Sequence, residues 1–339
     1  MANTVLRLGF PVHTFSGLRI NRCELQRKDP TWVQGMLSDN ALVMLFDDEN
    51  VLTGGGSGAK PTSGADATCL LPLGATRATF PFLELHHDVI LLGETPAAGD
   101  VAALAVGAKR IATSTLPAEH KEQLRAQGWE WTSVRKLLTT ASPELAPLVG
   151  YGKSLSQWHT TAKFCGLCGA KTVMAEGGAC RACTACDNKA YPRINPCAIM
   201  LVLDGKGKCL LGKIKGRPMY STLAGYLSHG ESVEETVARE VEEESGVKVA
   251  RVFYHSSQSW PFPFQLMLGY HAVADPNHSS IRIDPHELDD AQWFSKDDAR
   301  SALANQNEFL MVPPAYSIAH QLIKAWVDGR VGDDGTLPH

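Results

Sequence analysis

The period of apolar and polar positions changes several times along this chain. Between 233 and 246, Val233, Val237 and Val241 recur every fourth residue among charged positions, the stripe an amphipathic helix buries. Ser232 with Glu235 three positions on forms a capping box, in which hydroxyl and carboxylate each cover a free backbone N–H. Gly246 supplies the left-handed cap that ends the helix. Elsewhere the apolar runs are short and read as strands: "VILLG" at 89–93, "PCAIMLVLD" at 196–204, "KCLLGKI" at 208–214, "QLMLGYHAVAD" at 265–275 and "DDAQWF" at 289–294. The second and third are joined by "GKGK", which makes them a hairpin. Helical periodicity returns in "PAEHKEQLRAQG" (117–128), in a connector over 142–164 interrupted by Gly150 and Gly152, and in "SIAHQLIKAW" (317–326). Residues 49–66, rich in Gly, Ser and Pro, read as a flexible loop. Strands interleaved with helices predict a compact α/β or α+β domain in the second half.

Composition adds limits. At 339 residues, 44% hydrophobic and 20% charged, the chain has room for about two globular domains. A net charge of −4 argues against a generic nucleic-acid or anionic-membrane surface. No apolar run approaches the roughly 18 residues of a membrane span. "MANTVLRLGF" has no signal-peptide core, and "TLPH" is not a Ser-Lys-Leu-type peroxisomal signal. The expectation is a soluble cytoplasmic protein, with the peroxisome as the alternative. His86 and His87 are more readily solvent or core residues than ligands.

Five of the nine cysteines fall between 165 and 186. Cys165-x2-Cys168 and Cys183-x2-Cys186 are two knuckles that together supply four thiolates for one tetrahedral zinc ion. Cys180-x2-Cys183 offers a second pairing, so either Cys180 or Cys186 is left over. Four thiolates leave no open coordination position, so the zinc is structural.

The stretch "REVEEESG" (239–246) raises a different question. Glu240, Glu243 and Glu244 share one side of the helix, and like charges at this spacing repel. A solvated acidic face is the plain reading of such a cluster. A hard divalent cation such as Mg2+ or Mn2+ is the other, because it takes oxygen ligands of this kind. The wider spacing decides between them. Gly225-x5-Glu231-x7-Arg239-Glu240-Val241-x-Glu243-Glu244-x-Gly246-Val247 matches every specified position of the Nudix box. The chain therefore resembles the Nudix hydrolases. Downstream, "SQSWPFPFQLM" (257–267) is similar to the S-Q-P-W-P-F-P-x-S signature of the NADH pyrophosphatases; Ser259 and Gln265 depart from it, while Trp260, Pro261, Phe262 and Pro263 stand intact.

The resemblance implies a Nudix α/β/α sandwich with a mixed sheet over 192–330. A zinc ribbon (164–191), a helical connector (141–163) and a mixed α/β N-terminal domain (1–140) precede it; a short tail (331–339) follows. Because Cys186 lies six residues before Pro192, the resemblance favours Cys183 and Cys186 as the second ligand pair. It makes Glu240, Glu243 and Glu244 ligands of catalytic Mg2+ or Mn2+, with Glu287 assisting. It pairs Glu231 with Arg239 as a brace and gives Gly225 a tight backbone. Tyr226 and, from the partner of a homodimer, Tyr191 stack on a base; Tyr226 taken alone also reads as core. Ala319 offers a backbone contact to substrate, and the run at Trp260 marks specificity. The implied activity is hydrolysis of NADH, and of NAD+, to nicotinamide mononucleotide and AMP, with Glu243 or Glu244 as base. Two alternatives stand beside it: removal of NAD caps from RNA, and a zinc-ribbon binding protein with an inactive Nudix fold.

Overall fold

The computed structural model describes residues 13–336 except 19, 40, 48, 55–68, 80–88, 98–99, 108–118, 120, 121, 123, 124, 127, 138–140 and 143. The chain divides into two compact units: Gly17–Arg193 with Pro261–Phe264, and the segment ending at Ser16 with Ile194–Trp260 and Gln265 onward.

In the first unit, β1 (Leu42–Met44), β4 (Leu71–Pro72), β5 (Val89–Ala97) and β6 (Asp100–Gly107) form a sheet of order β4-β1-β6-β5. A second sheet joins β2 (Phe46–Asp47), β3 (Asn50–Gly54) and β7 (Trp129–Ser133). Val43, Leu45, Leu52, Leu73 and Leu91 are buried together between these strands, and "VILLG" is a strand as expected. The loop expected over 49–66 is corrected at its start. Residues 50–54 pair with β7, because Val51 and Leu52 are apolar enough to be fully buried. Residues 55–66, His86 and His87 lie outside the described residues, as does most of 117–128.

A second correction concerns the connector. One continuous helix, α4 (Leu145–Thr161; α1, α2 and α3 are Pro30–Met36, Leu73–Thr79 and Val134–Leu137), runs straight through Gly150 and Gly152. An interior glycine costs a helix about 1 kcal/mol relative to alanine. Burial of Leu145, Leu148, Val149, Leu155 and Trp158 outweighs that, at roughly 1.5–3 kcal/mol for each large apolar side chain. The ribbon follows, with β8 (Thr172–Ala175), β9 (Cys180–Cys183) and β10 (Lys189–Ala190) in an antiparallel meander.

The second unit is a mixed seven-stranded sheet between helices. Its order is β13 (Tyr220–Ser221), β12 (Lys208–Ile214), β11 (Asn195–Leu203), β16 (Gln265–Ala274), β15 (Val249–Trp260), with β14 (Leu223–Tyr226) on β11 and β17 (Leu288–Ser295) on β12. β11 and β16 run parallel over nine paired positions. Strand alternation sorts β11 between two cores. Cys197, Ile199, Leu201 and Leu203 face the core that contains α6 (Lys296–Leu303) and α7 (Ile318–Val327). Ala198, Met200 and Val202 face the core that contains α5 (Val233–Ser245). This is the α/β/α sandwich, with α5 on one face and α6 and α7 on the other. Val237 and Val241 are its fully buried stripe. The "GKGK" hairpin joins β11 to β12.

Candidate active site

The loop between β14 and α5 is held by local chemistry. Ser232 accepts from the Glu235 N–H at 3.2 Å and its own N–H donates to the Glu235 carboxylate at 2.7 Å, so the capping box forms as read. Gly246 closes the helix at φ 72°. Glu231 is the centre of the loop. Its carboxylate accepts from the Ser228 N–H and the Thr236 hydroxyl, each at 3.0 Å, and from Nε and Nη2 of Arg239. Those charge-assisted bonds, Arg239 first, hold its carboxyl down at about 2. Arg239 also donates to Glu240 and Glu243, at 2.8 Å each, and to the Tyr226 carbonyl at 3.0 Å. One guanidinium thus orients three box carboxylates. Thr236 occupies a free position of the box, and nothing in the spacing singled it out.

Glu244 has the opposite environment. It is 5% exposed, and burial, then the charges of Glu240, Glu287 and Glu243, push its carboxyl up to about 8. Burial also raises Glu240. The exposed Glu287 bears on both, although it lies 42 residues beyond the end of α5 in the chain. Gly225 sits where Glu240 needs space. A Cβ there would lie 1.8 Å from the Glu240 carboxyl carbon and 2.1 Å from both its oxygens. The expected reason for this glycine, a tight backbone, is replaced by close approach of a side chain, since its φ is not in the left-handed range.

Crowded carboxylates, one of them buried, in a cradle opened by a missing side chain form an oxygen donor set that suits a hard divalent cation. Glu240 and Glu243 lean on Arg239, at 2.8 Å each. Glu242 lies apart, half exposed, 3.4 Å from Lys248.

Around this cluster, Tyr226 is 50% exposed, which excludes a core role, and its hydroxyl accepts from the Gln265 amide. Trp260 is packed edge-on to Phe15 and stacked on Tyr316. Ala319 is buried in the first turn of α7. Gln258 was not foreseen. Fully buried, it accepts from the Ile318 N–H and donates to the Tyr316 carbonyl, both at 2.8 Å, and so ties β15 to the start of α7. In the other unit, Tyr191 is 61% exposed.

In the ribbon, the Sγ atoms of Cys165, Cys168, Cys183 and Cys186 lie within 4.8 Å of one another. Backbone N–H groups of Leu167 and Ala185 and the Asn188 amide point at the sulfurs of Cys165 and Cys183. Such donors stabilise thiolates, and with the Cys168 N–H leading they bring Cys165 down to about 6. The cluster fits a structural zinc ion. Cys180 is outside it: fully buried, its thiol points at the Ala175 carbonyl, and burial raises its pKa. Cys183→Ser is expected to lose the zinc and several degrees of Tm, whereas Cys180→Ser keeps full zinc. Metal analysis of the two purified variants checks this, and the reverse pattern would exchange the ligand assignment.

Comparison with known proteins agrees with this geometry. The NUDIX domain family matches residues 193–313, and the NADH pyrophosphatase zinc ribbon domain matches residues 161–191. The chain is 43% identical over 194 residues to "NAD-capped RNA hydrolase NUDT12" of Macaca fascicularis, covering 54% of this chain and 42% of that one. It therefore spans less than half the length of that relative. It is 35% identical over 256 residues to "NAD(P)H pyrophosphatase NUDT13, mitochondrial" of Mus musculus, covering 72% of each. It is 38% identical over 206 residues to "NAD-capped RNA hydrolase NudC" of Stutzerimonas stutzeri, covering 60% of this chain and 70% of that one. With an intact box on a Nudix sandwich, a four-thiol ribbon before it, family matches to both segments and a relative 35% identical over 72% of the chain, the chain belongs to the Nudix hydrolase family, in the branch that carries the NADH pyrophosphatase zinc ribbon.

Proposed function

We propose that the protein hydrolyses the pyrophosphate of NADH, and of NAD+, to nicotinamide mononucleotide and AMP. The observation that carries this reading is the α5 carboxylate cluster, braced by Arg239 and opened by Gly225. Glu240, Glu243 and Glu244 would hold Mg2+ or Mn2+, with Glu287 beside them. When bound, the cation supplies positive charge that neutralises phosphate and acidifies water. The chain's own residues do the rest. Arg239 and Glu231 keep the loop and the carboxylates in one geometry. Glu243, or Glu244, takes the proton from the attacking water. Water adds across one P–O bond, and the other phosphate leaves with the bridging oxygen. Tyr226, half exposed beside the box, offers a ring face for stacking on a base. Tyr191, also exposed, is read as the matching ring contributed across a homodimer, and Ala319 as a backbone contact. The matched segments support a ribbon at 164–191 and a hydrolase domain at 192–330.

A second reading has support in the printed names of two relatives: the same bond cleaved in an NAD-capped RNA. Among the described residues, no helix is long and apolar enough to cross a membrane. The four ribbon cysteines stand together as a thiol ligand set rather than as disulfides, which supports a reducing compartment, and we read this as cytoplasm. Rates on NADH, NAD+, ADP-ribose and NAD-capped RNA at matched concentration, with Mg2+ or Mn2+, test the proposal. NADH should have the highest kcat/KM. A clear preference for capped RNA moves the assignment to the second reading, and inactivity on all four refutes both.

A further inference from the structure

The first unit holds a cavity of about 600 Å³ between α1 and the turn that joins β8 to β9. Its apolar wall is made by Val33 and Leu37 of α1, Val89 of β5 and Met174 of β8. Four cations line the rest, Arg27, Lys28, Arg77 and Lys189, against one carboxylate, Glu176. The turn Glu176–Gly178 is a fixed part of the wall. Gly177 and Gly178 take φ 61° and 85°, and a Cβ on Gly178 would lie 2.7 Å from the Ile90 side chain of β5. The Gly178 carbonyl accepts from Nε2 of His159, on α4, at 2.9 Å.

The cations of this cavity are poorly compensated. Arg27 is 4% exposed. Its Nε donates to the Arg22 carbonyl at 2.9 Å, and Nη2 donates to the same carbonyl and, at 3.4 and 3.5 Å, to those of Leu91 and Leu92. Carbonyls satisfy donors without neutralising the charge, and a buried charge is costly unless a counter-charge meets it. Arg77 gives Nη1 to the exposed Asp39 at 3.3 Å, while its Nε is buried with no hydrogen-bond partner. Glu176 is taken by Lys189 at 2.7 Å. That bond first, and the charges of Lys28 and Arg27 after it, hold the Glu176 carboxyl below its usual value. A concave surface lined by one sign of charge concentrates the field and draws in the opposite ion. Guanidinium and ammonium groups together suit phosphate oxygens, and the apolar wall suits the body to which a phosphate is attached. The volume is that of a small-molecule site.

We propose that this cavity is a second ligand site, for a small organic phosphate of the nucleoside monophosphate class. The phosphate stands among Arg27, Lys28 and Arg77, and the apolar body lies against Val33, Leu37 and Met174. Every residue of the site belongs to Gly17–Arg193, and every residue of the box to the other unit. The site therefore shares no side chain with the box, and its test does not depend on the hydrolase reading.

The test is isothermal titration of the full chain, with EDTA to keep divalent ions from the box, using AMP, adenosine and inorganic phosphate as probes. AMP should bind at least about tenfold more tightly than inorganic phosphate, and adenosine should not bind. Lys28→Glu and Arg77→Gln should each raise the Kd for AMP by about tenfold or more, whereas Tyr226→Ala, beside the box, should leave it within about twofold. If Arg77→Gln does not fold, Lys28→Glu decides, since Lys28 is exposed. No binding of AMP by the wild-type protein overturns the proposal, as does an unchanged Kd in a folded cavity variant. Weakened binding in Tyr226→Ala in place of the cavity variants puts AMP at the box and overturns it equally. Equal affinity for AMP and inorganic phosphate means an adventitious ion only, and adenosine binding as tightly as AMP means that the cations do not select the ligand; either result refutes the site as proposed.

Discussion

Glu244→Gln lowers kcat by about a thousandfold and leaves the fold intact. Loss of about three powers of ten corresponds to roughly 4 kcal/mol of transition-state stabilisation. The amide keeps the size of the side chain and can keep its packing, but it lacks the charge that a hard cation requires. Glu244 is distinguished from the surface glutamates of α5 by burial: it is 5% exposed, and Glu242 is half exposed. The same substitution has an opposite effect on stability without metal. In the metal-free protein, burial and the charges of Glu240, Glu287 and Glu243 oppose ionisation of Glu244, so near neutral pH folding carries the cost of protonating a carboxylate that is ionised in the unfolded chain, and the amide avoids that cost. The metal-free variant should melt at or above the wild-type temperature, and added Mg2+ or Mn2+ should raise its Tm less than it raises that of the wild type. Loss of activity together with a fall in metal-free Tm would mean that Glu244 is a structural residue.

Gly225→Ala should be nearly as severe, about a hundredfold or more in kcat, from the addition of one methyl group. The strand conformation admits alanine, but its Cβ would overlap the Glu240 carboxyl at 1.8 Å. The carboxylate must rotate away, which moves it from its 2.8 Å bond with Arg239 and from its neighbours. Displacement of a catalytic group by about an ångström costs on the order of a hundredfold. Glu240→Asp in the Gly225→Ala background, shorter by one methylene, should recover part of the lost rate. Gly225→Ala with wild-type kcat would show that Glu240 does not act from the position it occupies here.

These two residues also separate what sequence reading could reach from what it could not. The α5 helix, its Ser232–Glu235 box and its Gly246 cap were legible because each depends on spacing within about fifteen residues; the Glu231–Arg239 pair was reached only through the family resemblance. β11 was legible as an apolar run, and its alternation between two cores is simple strand geometry. α6 was overlooked, although Ser295 and Asp298 form a capping box at its start; the signal was present in the sequence. Gly225 was assigned the wrong physics, because the collision it avoids is between a strand and a helix. The break expected at Gly150 and Gly152 fails for a related reason: tertiary burial of α4 outweighs local propensity.

The most direct measurement is product analysis on NADH with and without Mg2+ or Mn2+, run on the wild-type protein and on Glu244→Gln. Reduced nicotinamide mononucleotide and AMP in equal amounts, dependent on the divalent ion and nearly absent with the variant, is the result the account predicts. Equal yields from both proteins, or free nicotinamide in place of the mononucleotide, would contradict it.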